Sequence, residues 1–300
     1  MERMVLSTAQ KALKVNLNEN IYGTFAEIGA GQEVVRNFFR VGAASGTVAK
    51  AMSAYDKLFS DAIYGKEMDG RYVTEDRLRK MLDHEYGLIE KRLDRTDHPK
   101  RCYFAFANTV ATINFTRKFK GHGWMGIRFQ LDPDKEPNDV LFHIRMKEEE
   151  ASLQQETIGI MGVNLIYGCF NIRNNPEELL KSLYDNIARY KMEIDMIHFE
   201  GPEFEHVDNR LMSLRLIQNG MTDAVIFGPE GNNILPAALL YKKNILTARG
   251  SFRPVTKVNM DMVRTSIDAF TQERKVEKDK LVVLFEITLN NLKAEGEIDE

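Results

Sequence analysis

Ile194-Asp195-Met196-Ile197-His198-Phe199-Glu200-Gly201-Pro202-Glu203 and Asp223-Ala224-Val225-Ile226-Phe227-Gly228-Pro229-Glu230-Gly231-Asn232 decide how this chain reads. Each is a short apolar run that stops at a Gly-Pro-Glu turn, and a helical stretch separates each from the next apolar run. That rhythm is β-α-β-α, which builds a parallel sheet. The spacing predicts a strand over 193–199, a helix over 208–219, a strand over 223–227, a helix over 233–243 and a strand over 244–248. A helix over 258–274 and a strand over 281–287 complete the series. Right-handed crossovers make such strands parallel. Their carboxyl-end turns then share one edge of the sheet, where open α/β sheets bind ligands.

Working toward the amino terminus, Asn175-Pro176-Glu177-Glu178 marks a helix start, with Asn at the cap, Pro at the first position and Glu three after the cap. Residues 101–171 read as strand-rich. Tyr103 to Ala107 is aromatic and small, Val140 to Met146 alternates, and Thr157 to Phe170 reads as a further strand region punctuated by Gly159, Gly162 and Gly168. Ahead of these, Ile21 to Ile28 reads as a strand, Gln32 to Val41 and Val48 to Leu58 as helices, and Thr74-Glu75-Asp76 as the opening of a longer helix. The expected class is α/β, with a parallel β-α-β sheet in the C-terminal half, a strand-rich mixed middle region and an α/β N-terminal region. The divisions fall at 1–98, 99–171 and 172–300. The acidic residues from Glu295 to Glu300 read as the start of a helix, so the last domain is expected to continue beyond residue 300.

Apolar residues make up 43% of the 300 and charged residues 28%, as in soluble globular chains. A net charge of −3 supplies no basic footprint for nucleic acid. No run approaches the roughly 20 apolar residues of a membrane span, so neither nucleic acid nor membrane is an expected partner. Cys102 and Cys169 lie in apolar runs and do not suggest a disulfide framework. The expected setting is cytoplasmic.

The carboxyl edge of the parallel sheet is the best candidate site. Gly228, Glu230, Gly231 and Asn232 come from one turn, Arg249, Ser251 and Arg253 from the next, and Asn290 from beyond the last strand. Gly231 just before a helix would offer free N–H groups to a phosphate, and Arg249 and Arg253 could clamp the same anion. Glu200 and Glu203 could hold Mg²⁺ against it. His198, Glu200 and His206 form an alternative transition-metal set. Gly29-Ala30-Gly31 is a strand–turn–helix junction, but position 34 is valine where a dinucleotide fingerprint has its third glycine. Gly121-His122-Gly123-Trp124 places the sole tryptophan beside a histidine, where it could stack a base or ring or pack as an anchor at a bulge or turn.

The stretches Ile21 to Phe39, Gly42 to Asp56, Asp223 to Gly231 and Arg249-Gly250-Ser251-Phe252-Arg253-Pro254 together resemble a bacterial family labelled nicotinate-nucleotide adenylyltransferase. The resemblance spans the chain. It implies a nucleotidyltransferase of NAD metabolism that binds a nucleotide or another phosphorylated small molecule, with Mg²⁺ as cofactor. The chain has neither the Gly-x-Phe-x-Pro-x-His-x-Gly-His loop nor the Ser-Ser-Thr-x-x-Arg turn of that chemistry, so no catalytic residue is carried over. The alternative expectation is a non-catalytic, self-assembling or regulatory scaffold, for which a homo-oligomer would be natural.

Overall fold

The computed structural model describes residues 3–289. They divide into two compact units, one up to Asn233 and the other from Ile234 on.

The first unit opens with α1 (Thr8–Asn16), whose Ser7 and Gln10 form a reciprocal capping box. Then come β1 (Ile21–Gly29), α2 (Val34–Arg40), β2 (Val48–Met52), α3 (Lys57–Tyr64) and α4 (Glu75–Arg92). Thr74 caps α4, as its hydroxyl and the acidic first turn lead one to expect. Next are β3 (Cys102–Ala111), β4 (His122–Phe129), β5 (Asn138–Met146), α5 (Ala151–Asn171), α6 (Pro176–Ser182), β6 (Met192–Glu200) and α7 (Asn209–Gln218). Asn175 caps α6 and Pro176 sits in its first turn.

The α/β class holds, and the main sheet is mixed. Its six strands run in the order β2-β1-β3-β4-β5-β6. β1 is parallel to both β2 and β3, whereas β3 to β6 are joined antiparallel. Strand β6 therefore closes an antiparallel run and does not open a parallel one. The expected divisions at 98 and 171 both fall inside the unit this sheet holds together. From β1 the chain goes to β2 on one side, then returns past β1 to β3 on the other. The carboxyl ends of β1 and β3 thus flank a topological switch point.

Alternation sorts the two faces. Phe25, Phe104, Phe106, Met125, Ile127, Phe142 and Ile144 pack with α2 and α5 in one core. On the other face Ala105, Ala107 and Gly126 keep the surface low, and Leu78 of α4 approaches Gly126 closely. Two local readings change. Residues 157–170 are the inner part of α5, not strands. The helix is buried nearly all round, so no polar face imprints the helical period on its sequence. Gly159 and Gly162 mark close packing: a Cβ at Gly162 would lie 2.4 Å from Val34. Val48 to Met52 is the parallel strand β2, and the helix starts only at Lys57, capped by Asp56.

β7 (Ile226–Phe227) and β8 (Asn233–Ile234) form a separate two-stranded ladder. In the second unit α8 (Pro236–Leu240) precedes β9 (Asn244–Arg249), α9 (Lys257–Phe270) and β10 (Leu281–Glu286). β9 and β10 are parallel with α9 as the crossover, which is the expected β-α-β unit. Asn290 and the acidic Glu295–Glu300 run lie outside the described residues.

Candidate functional site

The Gly228–Asn232 segment does not form the anion cradle its sequence suggests. The N–H of Gly228 donates to the Asn232 carbonyl at 2.8 Å and that of Gly231 to the Gly228 carbonyl at 2.9 Å. These donors are spent inside a turn joining β7 to β8. The next helix, α8, is only five residues long and begins at a proline, which has no N–H to offer. Glu230 and Asn232 are exposed. Arg249, Ser251 and Arg253 belong to the second unit. There Arg249 pairs with Glu286 at 2.7 Å across the β9–β10 ladder, Ser251 is half-buried and Arg253 is exposed.

Glu200 and Glu203 both face arginines. Arg79 grips Glu200 with two hydrogen bonds of 2.5 and 2.9 Å, a charge-assisted fork. His198, at 3.6 Å, and Arg79 hold the Glu200 carboxyl down at about 2. His198 is the larger contributor there, yet the Arg79 fork is the tighter contact in space. Glu203 lies 3.4 Å from Arg173, and its N–H donates to the Asn138 side chain at 2.8 Å. His206 is exposed. Among the described residues no group of three or more His, Cys, Asp or Glu is placed to hold a metal, and a Mg²⁺ ion at Glu200 would have to displace Arg79. The donors do not fit the cation.

The switch point between β1 and β3 is filled by the chain itself. Glu27, 2% exposed on β1, accepts from the N–H groups of Val34 at 3.0 Å and Val35 at 3.4 Å. It occupies the place at the start of α2 where a phosphate would sit in a dinucleotide-binding fold. Burial pushes its carboxyl up to about 8, against the pull of those N–H groups. Asn108 of β3 donates to the Gly31 carbonyl at 2.9 Å. A Cβ at Gly31 would come within 2.1 Å of the Asn108 side chain, so glycine there serves packing against β3.

A second constellation lies on the opposite face of the sheet, at the edge where β3 and β5 end and β4 and β6 begin. His143 Nδ1 lies 2.6 Å from Asp195 Oδ1, and His143 Nε2 lies 3.1 Å from His122 Nδ1. His143 and Asp195 are buried, His122 is half-buried, and the Trp124 ring packs 5.3 Å from His143. The β5–β6 register explains the alignment. His143 faces Met196 and Ile144 faces Ile194, which leaves Asp195 as one extra residue in β6. Such a bulge re-aims a side chain, and here it turns the carboxylate onto the histidine. Burial first, and then His143, lower His122 to about 4. The sequence draws attention to the Gly121-His122-Gly123-Trp124 stretch, as a tryptophan that could stack a base or ring or as an anchor packed at a turn. It does not mark His143 and Asp195, because the bulge breaks the alternation that would have placed them. The cysteines are free and buried, and burial raises both thiols.

No family model matches this chain and no curated protein matches it. Among solved structures it is similar to competence/damage-inducible protein CihA from Agrobacterium tumefaciens, at 13% identity over 61% of this chain and 99% of that one, with a TM-score of 0.36. It is also similar to a competence-damaged protein (CinA) superfamily member from Klebsiella pneumoniae, at 9% identity, 54% and 96% coverage and a TM-score of 0.39. A further member, from Enterobacter cloacae, gives 11% identity, 61% and 96% coverage and a TM-score of 0.36. Likeness this distant carries no activity across. The family expectation is nonetheless corrected, since these solved structures are competence-damage proteins and not nicotinate-nucleotide adenylyltransferases. The nucleotidyl-transfer and NAD-biosynthesis readings are withdrawn.

Proposed function

We propose that this protein is an acid–base catalyst whose working group is His122, backed by His143 and Asp195. The observation that carries the reading is the bulge-placed Asp195 bonded to His143, itself bonded to His122. A carboxylate can only accept, so His143 carries its proton on Nδ1 and accepts at Nε2 from the Nδ1–H of His122. The Nε2 lone pair of His122 is left free. With its conjugate acid held near 4, this ring is a neutral acceptor at ordinary pH. A proton taken up at Nε2 is relayed when the Nδ1 proton crosses to His143, whose imidazolium then faces Asp195. The reaction class is proton removal from a water or a substrate group at the edge of the sheet where β3 and β5 end and β4 and β6 begin. A positioned base contributes roughly a hundred- to ten-thousandfold when its pKa lies near the working pH, and a ring held near 4 delivers less than that at neutral pH. A cytoplasmic setting belongs to the same reading, because the free thiols of Cys102 and Cys169 suit a reducing compartment.

Two measurements test it. Long-range ¹H–¹⁵N correlation of the histidine rings at pH 7 is expected to find both His122 and His143 protonated on Nδ1. An Nε2-protonated His122 overturns the relay. Protein incubated with the small-molecule fraction of a cell extract is expected to consume at least one component, and the His122→Gln variant to consume none. No consumption by either protein, or equal consumption by both, overturns the catalytic reading.

A further inference from the structure

The loop between β3 and β4 carries a surface that the acid–base reading does not use. Phe115 to Lys120 are six consecutive exposed residues. Phe115 is fully exposed and Phe119 is 71% exposed. Arg117, Lys118 and Lys120 are interleaved with them, and none of the three is paired with a carboxylate among the described residues. The loop is nonetheless built. The Asn114 side chain accepts from the N–H groups of Lys118 at 3.1 Å and Phe119 at 3.4 Å, and the Arg117 N–H donates to the Asn114 carbonyl at 2.8 Å. Gln154 of α5 anchors its base, accepting from the Ile113 N–H at 2.8 Å and donating to the Glu148 carbonyl at 2.6 Å.

We propose that this loop docks the protein onto an anionic lipid surface. Two uncovered phenylalanines on one ordered turn are a hydration cost without benefit to the fold, and such apolar surface rimmed by charge marks an interaction site. The three cations supply the charge complementarity, each attracted to an acidic leaflet at short range. Apolar insertion plus a basic cluster is the pair of signals that peripheral binding requires. Single-stranded nucleic acid also takes aromatic and basic groups, but it runs along an extended cationic groove. Here the cations are confined to one loop of a chain whose net charge is −3. A planar bilayer touched by the loop tip suits a compact basic cluster of this kind. Net charge and the absence of a spanning run argued against a membrane partner, but both are averages over long stretches and neither registers a six-residue cluster.

Vesicle flotation with the whole chain tests the proposal. Partitioning is expected onto phosphatidylcholine vesicles containing phosphatidylserine and not onto phosphatidylcholine alone, and it should weaken in high salt. The triple variant R117Q/K118Q/K120Q should lose roughly a hundredfold of the partition coefficient, each cation accounting for about fivefold. The double variant F115S/F119S should lose binding at every lipid composition. Both variants alter only exposed side chains, so an unchanged melting temperature is expected, and it separates lost docking from lost folding. Failure of the wild type to float with anionic vesicles overturns the proposal, as does flotation unchanged in both variants. Binding to poly(U) that the same substitutions abolish, without any vesicle partitioning, overturns it in favour of nucleic acid.

Discussion

Glu27 shows how one residue sets both a local structure and a pH dependence. Its carboxyl group caps α2 from within the sheet and is buried while doing so. Its folded value of about 8 lies above the ordinary carboxylate range, so the native state binds a proton that the unfolded chain releases near 4.5. The stability tied to that proton is full below about pH 4.5 and is lost as pH rises toward 8. Urea denaturation across this window should show the wild type losing stability with rising pH, and Glu27→Gln losing correspondingly less. Equal slopes in the two proteins would remove Glu27 as the cause. At Gly31 the expectation is steric. Gly31→Ala drives a methyl into the Asn108 side chain, and overpacking of this kind costs about 1–3 kcal/mol, readable as a lowered urea midpoint. In the relay, Asp195→Asn keeps the shape and removes the group that fixes the His143 tautomer. The Nδ1-protonated signal of His143 should diminish in the same correlation spectrum that tests His122.

Among the elements, α5 offers a contest between two magnitudes. Gly162→Ala gains about 1 kcal/mol of helix propensity, but the new methyl meets Val34 of α2 at 2.4 Å. The packing cost of about 1–3 kcal/mol wins, so the variant should be less stable by calorimetry. A more stable variant would mean that α2 yields. The same helix shows why part of the fold was hidden in the sequence. Caps at Thr74 and Asn175 are local chemistry and were legible, as was the parallel pair β9 and β10 around α9. A helix buried all round has no polar face, so its glycines read as strand punctuation. The direction of β6 was also illegible, because pairing with β5 is settled across some fifty residues of chain. At the site level, His122 and Trp124 stood out by their glycine neighbours. Asp195 could not, since its role depends on a bulge that only strand register reveals. The Gly-Pro-Glu turns were legible as turns, but whether their N–H groups stay free is a tertiary matter.

At the scale of the whole molecule, burial differs between the two units. β3, β4 and β5 each have neighbours on both sides and are buried almost throughout. β9 and β10 form a two-stranded sheet, and β9 alternates between half-buried and exposed positions. Amide hydrogen exchange should therefore be slowest in β3 to β5 and faster in β9 and β10, since protection follows the free energy of local opening. Equal protection in both sets would mean that the units open together.

The chain contains a single tryptophan, and its indole lies against the middle ring of the histidine relay. Emission excited at the red edge of the indole band, beyond the absorption of the 10 tyrosines, therefore originates from one fluorophore. A protonated imidazole quenches an adjacent indole, so acid titration should dim the protein near pH 4, the value at which His122 gains its proton. In His122→Gln that midpoint should move or vanish. The fold thus contains its own optical gauge of the relay, readable without a label and before any substrate is known.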